Sequence, residues 1–268
     1  MYFSVILGMY DLNHMTTFLT HLHLGNNIET MKTIDLKDEA AGSTVGQMAI
    51  SHPSALSVFE KYNIDYCCGG HRSLEDACIR KGLDPAAIRR EIIQTSSSEY
   101  TLRPETWSSS LLVDFIIQNH HAYVNEAIPE IQLLLDKVCN AHGDDSIELL
   151  SIRQNFLDLA EELTSHMKKE EFVLFPAIKR LDAQNNDGHP LSGAIQSPIT
   201  AMEHEHTIAG DLIKNIRRLS NGYTPPNFAC PTFRITYQRL QEFDNDLMRH
   251  IHLENNVLFE RMKEKVAS

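Results

Sequence analysis

The chain has 268 residues, a formal net charge of −12 at pH 7 and an apolar fraction of 42%. This length is sufficient for one large domain or two modest ones. The acidic balance argues against nucleic acid or an anionic membrane as the main partner. The sequence contains no apolar run long enough to predict a transmembrane helix. Five cysteines in a chain of this length do not form a typical disulfide framework, so we expect a cytoplasmic location.

The N-terminal residues 1–31 contain no Lys or Arg, and the first basic residue is Lys32. A secretory signal requires a positively charged start and a cleavage site with small residues, and neither is evident here. We therefore expect residues 1–31 to form a disordered extension, and the sequence indicates no function for it.

A polar, Ser-rich stretch at residues 95–110 predicts a linker between two domains. Before it, residues 32–94 are expected to form a small helical domain. Within that domain the capping box Thr44-x-x-Gln47 predicts a helix that continues to about Tyr62. Two further helices are expected to begin after a Ser73 cap and at Pro85.

Cys67 and Cys68 lie in a loop of this domain, directly before Gly69 and Gly70. One interpretation is that they are two small buried apolar residues. The Gly-Gly turn and the N-terminus of the helix that follows argue for a second interpretation, in which the thiols are accessible and have a lowered pKa. The residues alone favour the first interpretation and leave the second open, and under the second Cys67 and Cys68 are candidate catalytic residues.

After the linker, residues 111–268 are predicted to form a bundle of four long amphipathic helices. Short connections rich in turn residues separate the helices, which is typical of an antiparallel up-and-down arrangement. The four patterns cover approximately residues 111–140, 146–182, 194–220 and 229–265.

Two distant segments of this bundle repeat one pattern, His-x-x-x-Glu-x-x-Val-Leu-Phe, at His166–Phe175 and His250–Phe259. Residues four apart lie on one face of a helix, so each segment directs an imidazole and a carboxylate to the same side. The apolar residues that follow predict that this face is buried, where unpaired polar groups are costly. Metal binding would compensate for that cost.

The inward apolar stripe of every predicted bundle helix is interrupted by a histidine. A single such histidine is more often an ordinary core residue than a ligand, but four that meet inside one bundle favour a metal centre. Four imidazoles and two carboxylates exceed the needs of one zinc ion, and they suit two ions with bridging carboxylates. Nitrogen and oxygen ligands fit iron or manganese. The candidate residues are His121, His166, Glu170, His206, His250 and Glu254.

Neighbouring polar residues compete for these roles. His120, His204 and His252 lie off the central stripes and are expected not to be ligands. Glu205 is one residue away from the stripe, so it either orients a ligand or is a solvated carboxylate. Glu171 is interpreted as a surface acid.

The C-terminal half resembles a hemerythrin-like di-iron bundle. From about Lys32 to Lys265 the chain resembles the iron–sulfur cluster repair di-iron proteins, a family called RIC for repair of iron centres. The resemblance depends on a combination of motifs, which is more specific than a single His-x-x-x-Glu. The motifs are Cys67-Cys68-Gly69-Gly70, His120-His121-Ala-Tyr, the two His-x-x-x-Glu segments, and Glu205-His206 followed by Ala209-Gly210.

This resemblance implies an all-α fold, with a small N-terminal helical domain and an antiparallel up-and-down four-helix bundle of hemerythrin type. It also implies two non-haem iron ions joined by an oxo bridge, with Glu170 and Glu254 bridging. The implied iron ligands are His121, His166, Glu170, His206, His250 and Glu254. Oxygen-carrying hemerythrins have a second histidine where this chain has Gly210, so we expect one iron to be more open to solvent or a small ligand.

The function implied by the resemblance is repair of iron–sulfur clusters damaged by nitric oxide or oxidants, by donation of iron. Damaged iron–sulfur proteins would then be the partners, and we also consider a homodimer. One alternative is an enzyme that reduces nitric oxide or peroxide at the iron centre. Another is a sensor that binds oxygen or nitric oxide. The Cys-bearing domain favours repair over simple binding.

Overall fold

The computed structural model describes residues 43–95, 102–183 and 192–267, so the predicted N-terminal extension lies outside the described residues. The described residues are predominantly helical, which confirms the all-α prediction. The first four helices are α1 (Val45–Ser51), α2 (Pro53–Lys61), α3 (Leu74–Ile79) and α4 (Pro85–Thr95). The bundle helices are α5 from Ser109 to His142, α6 from Glu148 to Ala183, α7 (Ser192–Leu219) and α8 from Pro231 to Ala267.

The capping box at the start of α1 is present. The Gln47 backbone N–H donates to Oγ1 of Thr44 at 3.2 Å, and the Thr44 backbone N–H donates to Oε1 of Gln47 at 3.0 Å. The predicted single helix to Tyr62 is wrong, however, because α1 ends at Ser51 and α2 begins at Pro53. Proline has no N–H to donate to the preceding turn, so it begins a new helix instead of continuing the first.

The next two helices begin where the sequence predicts. Ser73 caps α3 by accepting a hydrogen bond from the Asp76 backbone N–H at 3.2 Å. Helix α4 begins at Pro85, and the Asp84 carboxylate accepts a bond from the Ala86 N–H at 3.0 Å. Both caps satisfy backbone donors that the first turn of a helix leaves free.

The four predicted bundle helices are confirmed, with ends that differ from the predicted ones by only a few residues. Consecutive bundle helices pack against each other, and α8 packs against both α7 and α5. This ring encloses a core to which each helix contributes one face. None of the helices in the described ranges combines the length and hydropathy needed to cross a membrane.

Helices α1 to α4 pack onto the bundle through a shared apolar core. Phe59 and Tyr66 belong to the same buried cluster as Phe243 and Met248 of the bundle. At the surface, the Arg249 guanidinium forms two hydrogen bonds of 2.7 and 2.9 Å with the carboxylate of Glu60. The Cys-bearing helices are therefore held against α8, while the predicted division into two domains at residues 95–110 stays a prediction.

A second buried cluster surrounds the polar residues inside the bundle, and it includes the phenylalanine that ends each repeat. The ring of Phe175 stacks on His121, with centroids 5.7 Å apart, and that of Phe259 stacks on His206 at 5.9 Å. Each buried phenylalanine stabilises the fold by about 1.5–3 kcal/mol. The same side chains also fix the positions of two imidazoles.

Candidate metal centre

The six predicted ligand residues lie together inside the bundle, and each is at most 3% exposed. They occupy facing positions on all four bundle helices, as the stripes predict. They are His121 on α5, His166 and Glu170 on α6, His206 on α7, and His250 and Glu254 on α8.

The carboxylate of Glu170 lies between two imidazoles and faces one with each oxygen. Its Oε2 is 3.3 Å from Nε2 of His121, and its Oε1 is 3.3 Å from Nε2 of His166. The two oxygens of one side chain are therefore directed towards two different histidines.

Glu254 has the same arrangement on the opposite helix. Its Oε1 is 3.0 Å from Nε2 of His250, and its Oε2 is 3.1 Å from Nε2 of His206. The six residues thus form two overlapping groups that share both carboxylates, and in each group the ligand atoms lie within 4.8 Å of one another. One group contains His121 and His250, and the other contains His166 and His206.

Several of these buried atoms have no hydrogen-bond partner among the described residues. They are Nε2 of His121, both carboxylate oxygens of Glu170 and Oε2 of Glu254. A buried charged group without compensation is costly, and a cation supplies that compensation. The donor atoms are nitrogen and oxygen, with no thiolate in either group, so the chemistry of the site fits iron or manganese.

The electrostatics of the site keep both carboxylates ionised. Burial opposes ionisation, but the imidazoles of His250 and His206 hold the pKa of Glu254 well below its usual range. Burial and the neighbouring Glu254 carboxylate likewise oppose ionisation of Glu170, whose pKa is nevertheless lowered by His166 and His121. Two adjacent buried negative charges attract a cation more strongly than either does alone.

The pKa values of the imidazoles shift in different directions according to their surroundings. Burial lowers the pKa of His166, but the carboxylates of Glu170, Glu254 and Glu205 together outweigh burial and raise it to about 9. For His250 burial dominates, and its pKa is below the usual value. A metal ion requires the neutral imidazole, so an ion bound here would displace a proton from His166.

Three of the four imidazoles have a hydrogen-bonding partner at the ring nitrogen that faces away from the centre. Such contacts fix the ring and direct Nε2 inward, the atom that a metal would bind. These Nδ1 contacts are His121 with Glu171 at 2.8 Å, His166 with Glu205 at 2.9 Å and His206 with Asn255 at 2.7 Å.

These contacts bear on the sequence-based interpretations of Glu171 and Glu205. They also identify a third residue, Asn255, beside a candidate ligand. Glu171 is not a simple surface acid, because its carboxylate contacts His121. Glu205 contacts the candidate ligand His166, and its role in orienting that ligand stays a prediction. Asn255 is not among the residues that the stripes identify, although its place directly after Glu254 in the repeat corresponds to that of Glu171 after Glu170.

The fourth imidazole, that of His250, is supported by stacking instead. Its Nδ1 has no hydrogen-bond partner among the described residues. The ring of His120 stacks on it with centroids 5.5 Å apart and an interplanar angle of 8°. His120 in turn contacts Asp246, with Nδ1 2.9 Å from Oδ1.

The three neighbouring histidines lie outside both groups of candidate ligands. His120 is 7% exposed and contacts Asp246. His252 is buried, and its Nδ1 accepts a hydrogen bond of 3.1 Å from Nδ2 of Asn256. His204 is exposed on α7. The expectation that none of the three is a ligand stays a prediction.

Three of the bundle helices contain a π-helical turn at a candidate ligand. The turn in α5 ends at His121, that in α6 begins at Glu170, and that in α8 contains Glu254; the segments are Ile116–His121, Glu170–Leu174 and Leu253–Leu258. A π turn adds one residue to a helical turn and is frequent at functional sites. Residues next to a ligand are thereby brought closer to the centre than regular helical spacing predicts, which accounts for the contact of Glu171 with His121.

The cysteine pair differs from the sequence-based expectation. Cys67 is buried and Cys68 is half-buried, and the Cys67 Sγ lies 3.4 Å from Sδ of Met248 on α8. Burial raises the pKa of the Cys67 thiol well above its usual range, and the neighbouring Cys68 and Asp65 raise it further. The expectation of a lowered thiol pKa is therefore wrong for Cys67, because desolvation dominates.

Gly210 does not leave an open cavity where a second histidine is absent. A Cβ atom placed on Gly210 would lie only 3.0 Å from Sγ of Cys68. The same sulfur lies 3.3 Å from the backbone oxygen of His206. The expected opening on this side is thus covered by the Cys68 loop, whose close approach requires a residue without a side chain.

Comparison with known proteins agrees with this geometry. Residues 113–262 match the hemerythrin HHE cation binding domain, and residues 41–95 match a domain of unknown function, DUF542. The chain is 38% identical to the iron-sulfur cluster repair protein YtfE of Enterobacter sp. (strain 638) over 217 residues, which cover 81% of this chain and 94% of that protein.

Two further relatives carry the same name. The protein of Escherichia coli O157:H7 and that of Shigella boydii serotype 4 (strain Sb227) are each 39% identical to this chain over 220 residues. In both cases the alignment covers 81% of this chain and 94% of the relative. The chain belongs to the family of iron–sulfur cluster repair proteins. As in the family models, a cation-binding hemerythrin bundle follows a small helical region.

Proposed function

We propose that the six buried side chains hold two iron ions, with Glu170 and Glu254 shared between them. The observation that carries this proposal is the direction of the carboxylate oxygens. Each glutamate directs one oxygen towards the pair His121 and His250 and the other oxygen towards the pair His166 and His206. The choice of iron over manganese is supported by the family, whose curated members are named for iron–sulfur clusters.

We further propose that the protein repairs iron–sulfur clusters damaged by nitric oxide or oxidants, by supplying iron. Each ion would have four donors from the protein, namely two imidazoles and one oxygen from each carboxylate. Ions of this type commonly take six ligands, so the six side chains alone would not fill the coordination of either ion. Such incomplete protein ligation allows an ion to be released more easily than a closed structural site would.

The chain's own residues would control this release. Glu171, Glu205 and Asn255 hold three of the imidazoles from outside, so a change in these contacts alters how firmly Nε2 is presented. His166, with its pKa of about 9, takes up a proton readily when no ion is bound. Protonation of this imidazole would disfavour rebinding of the ion that has left.

A transfer experiment tests the repair function. The protein is loaded with isotopically labelled iron under anaerobic conditions and mixed with an iron–sulfur protein whose cluster has been damaged by nitric oxide. We expect cluster absorption to recover and the label to appear in the acceptor. The His166→Ala/His250→Ala variant should give no recovery, whereas His204→Ala, which changes an exposed histidine, should behave like the parent. Recovery at equal rates with all three proteins would contradict the proposal.

Reduction of nitric oxide or peroxide is a second candidate, since the same unfilled positions could accept a small molecule. It requires an external electron donor, which distinguishes it from iron donation. If the purified protein with a chemical reductant consumes many equivalents of nitric oxide and keeps its iron, reduction is favoured. Stoichiometric loss of iron to an acceptor favours repair.

The proposed partners are damaged iron–sulfur proteins, and the proposed location is the cytoplasm. The five cysteines are free thiols, as expected in a reducing compartment. The net charge of −12 supports the prediction that nucleic acid is not a partner. The homodimer considered from the sequence stays a prediction.

A further inference from the structure

A second set of potential ligands lies beside the histidine–glutamate centre. Oδ1 of Asp65 is 3.4 Å from Sγ of Cys67, which is 3.6 Å from Sγ of Cys68. These three atoms lie within 4.8 Å of one another. None of them belongs to the centre described above.

Two of the three separations match those of ligands around one tetrahedral cation, and the third, between Asp65 and Cys68, is at most 4.8 Å. A cation bound at about 2.3 Å from sulfur and about 2.0 Å from oxygen would separate two sulfurs by roughly 3.8 Å and a sulfur and an oxygen by roughly 3.5 Å. The observed separations of 3.6 and 3.4 Å are close to these values. Only a small adjustment of the side chains would therefore be needed for all three to bind one ion.

The surroundings supply a further ligand and a compensating charge. The thioether sulfur of Met248 lies 3.4 Å from Sγ of Cys67 and is a soft donor that could complete the site. Nζ of Lys214 lies 2.7 Å from Oδ2 of Asp65, the oxygen that does not face the thiols. A divalent ion with two thiolates, this carboxylate and the lysine would form a group without net charge, which lowers the cost of burial.

The location connects this cluster to the metal centre. Sγ of Cys68 lies 3.3 Å from the backbone oxygen of His206, whose Nε2 is one of the candidate iron-binding atoms. Cys68 is half-buried while Cys67 is buried. The cluster therefore lies against the helix that carries one candidate ligand, and the thiol nearest that helix is also partly exposed to solvent.

We propose that Asp65, Cys67 and Cys68 bind one Fe²⁺ ion that is in transit between the histidine–glutamate centre and a client protein. This inference rests on the proposed function. Binding converts the two thiols to thiolates and releases two protons to solvent, and the iron remains ferrous because no electron is transferred. Cysteine thiolates also hold the iron of iron–sulfur clusters, so the ion would pass from nitrogen and oxygen ligands to the sulfur ligands that its destination provides.

Cobalt(II) added under anaerobic conditions is the test, because thiolate ligation of this ion produces intense charge-transfer absorption that histidine and carboxylate ligation does not. One equivalent is added to the full-length protein whose iron centre is already filled. We expect the charge-transfer band to appear and to saturate at one cobalt per chain. It should be absent from the Cys67→Ser/Cys68→Ser variant, and Asp65→Asn should raise the Kd roughly tenfold or more.

The matched control is Cys139→Ser/Cys230→Ser, which removes two other half-buried thiols and should keep the band. Circular dichroism and the absorption of the iron centre show that each variant is folded. A band that is missing from the parent, or that persists in Cys67→Ser/Cys68→Ser, overturns the inference. If that occurs while labelled iron still reaches the acceptor, the repair function stands without this site. If cobalt binds as expected but no iron is delivered, the site stands and the repair function fails.

Discussion

The Oε1 atom of Glu171 on α6 lies 2.8 Å from Nδ1 of His121 on α5, so a residue next to a candidate ligand supports a second candidate ligand on another helix. Glu171 and Glu170 are adjacent in sequence, yet both face imidazoles. The π-helical turn that begins at Glu170 makes this arrangement possible. The contact links the geometry of α6 directly to that of the metal centre.

Removal of this contact should weaken metal binding without abolishing it. Glu171→Ala leaves His121 able to bind but no longer fixed from outside, so we expect metal affinity to fall by about 10–100-fold. Competition with a chromophoric chelator measures this change. Glu162→Ala removes an exposed carboxylate from the same helix and should have no effect. Equal affinities for both variants would show that the Glu171 contact does not support binding.

The sequence anticipates that the six candidate residues lie together inside the bundle, because their positions follow from helical periodicity alone, while their role as ligands stays a prediction. Residues such as His166 and Glu170 are four apart, and the apolar residues between the turns identify the buried face. The contacts of Glu171 and Asn255 could not be predicted in the same way. They depend on π turns that shift the register locally, and regular helical spacing places both residues away from the centre.

The surroundings of Cys67 also could not be predicted, for a different reason. A Gly-Gly turn indicates a flexible or exposed loop when only local sequence is considered. Burial of Cys67 results from packing against Met248, which is distant in sequence. Such tertiary contacts determine desolvation, and desolvation determines the direction of the thiol pKa.

Close packing of Cys68 on Gly210 leads to a second prediction. Gly210→Val places a side chain where Sγ of Cys68 now lies, so the loop must move. We expect the free energy of unfolding to fall by about 1–3 kcal/mol, as for other overpacked sites. The Cys68 thiol should also react faster with an alkylating reagent.

Urea denaturation and the rate of thiol alkylation measure these two effects of Gly210→Val. Ala201→Val introduces the same side chain at an exposed position of α7 and serves as the control. If Gly210→Val is as stable as the control and Cys68 reacts no faster, the loop does not require the glycine.

His252 should make the protein sensitive to mild acid. Burial lowers its pKa from 6.5 to about 4. Between pH 6.5 and pH 4 the imidazole is therefore protonated in the unfolded state and neutral in the folded state. His252 therefore leaves the free energy of unfolding at its full value above about pH 6.5. As the pH decreases towards 4, this free energy falls by roughly 3 kcal/mol.

His252→Asn retains an acceptor for Asn256 but cannot be protonated, and it should remove this part of the pH dependence. Denaturation of parent and variant across this pH range measures the difference, so that effects of the metal centre common to both proteins cancel. Parallel pH profiles for the two proteins would show that His252 is not the group responsible.

Removal of both carboxylates tests whether a bound cation compensates for the cost of burying their negative charge. Glu170→Gln/Glu254→Gln keeps the size of the side chains but removes their charge, so the variant should retain a folded bundle and lose the metal. We expect its melting temperature to be insensitive to a chelator, whereas that of the parent should fall when metal is withdrawn, because a ligand that binds only the folded state stabilises it. A variant that loses as much stability with chelator as the parent would show that the stabilising ion does not depend on these two carboxylates.

The metal content of the purified protein tests the central claim most directly. It is determined by elemental analysis of the full-length chain, together with that of His166→Ala/His250→Ala, which removes one histidine from each group. The account predicts two iron atoms per parent chain and close to none in the variant. One zinc ion per chain, or an iron content that is unchanged in the variant, would contradict it.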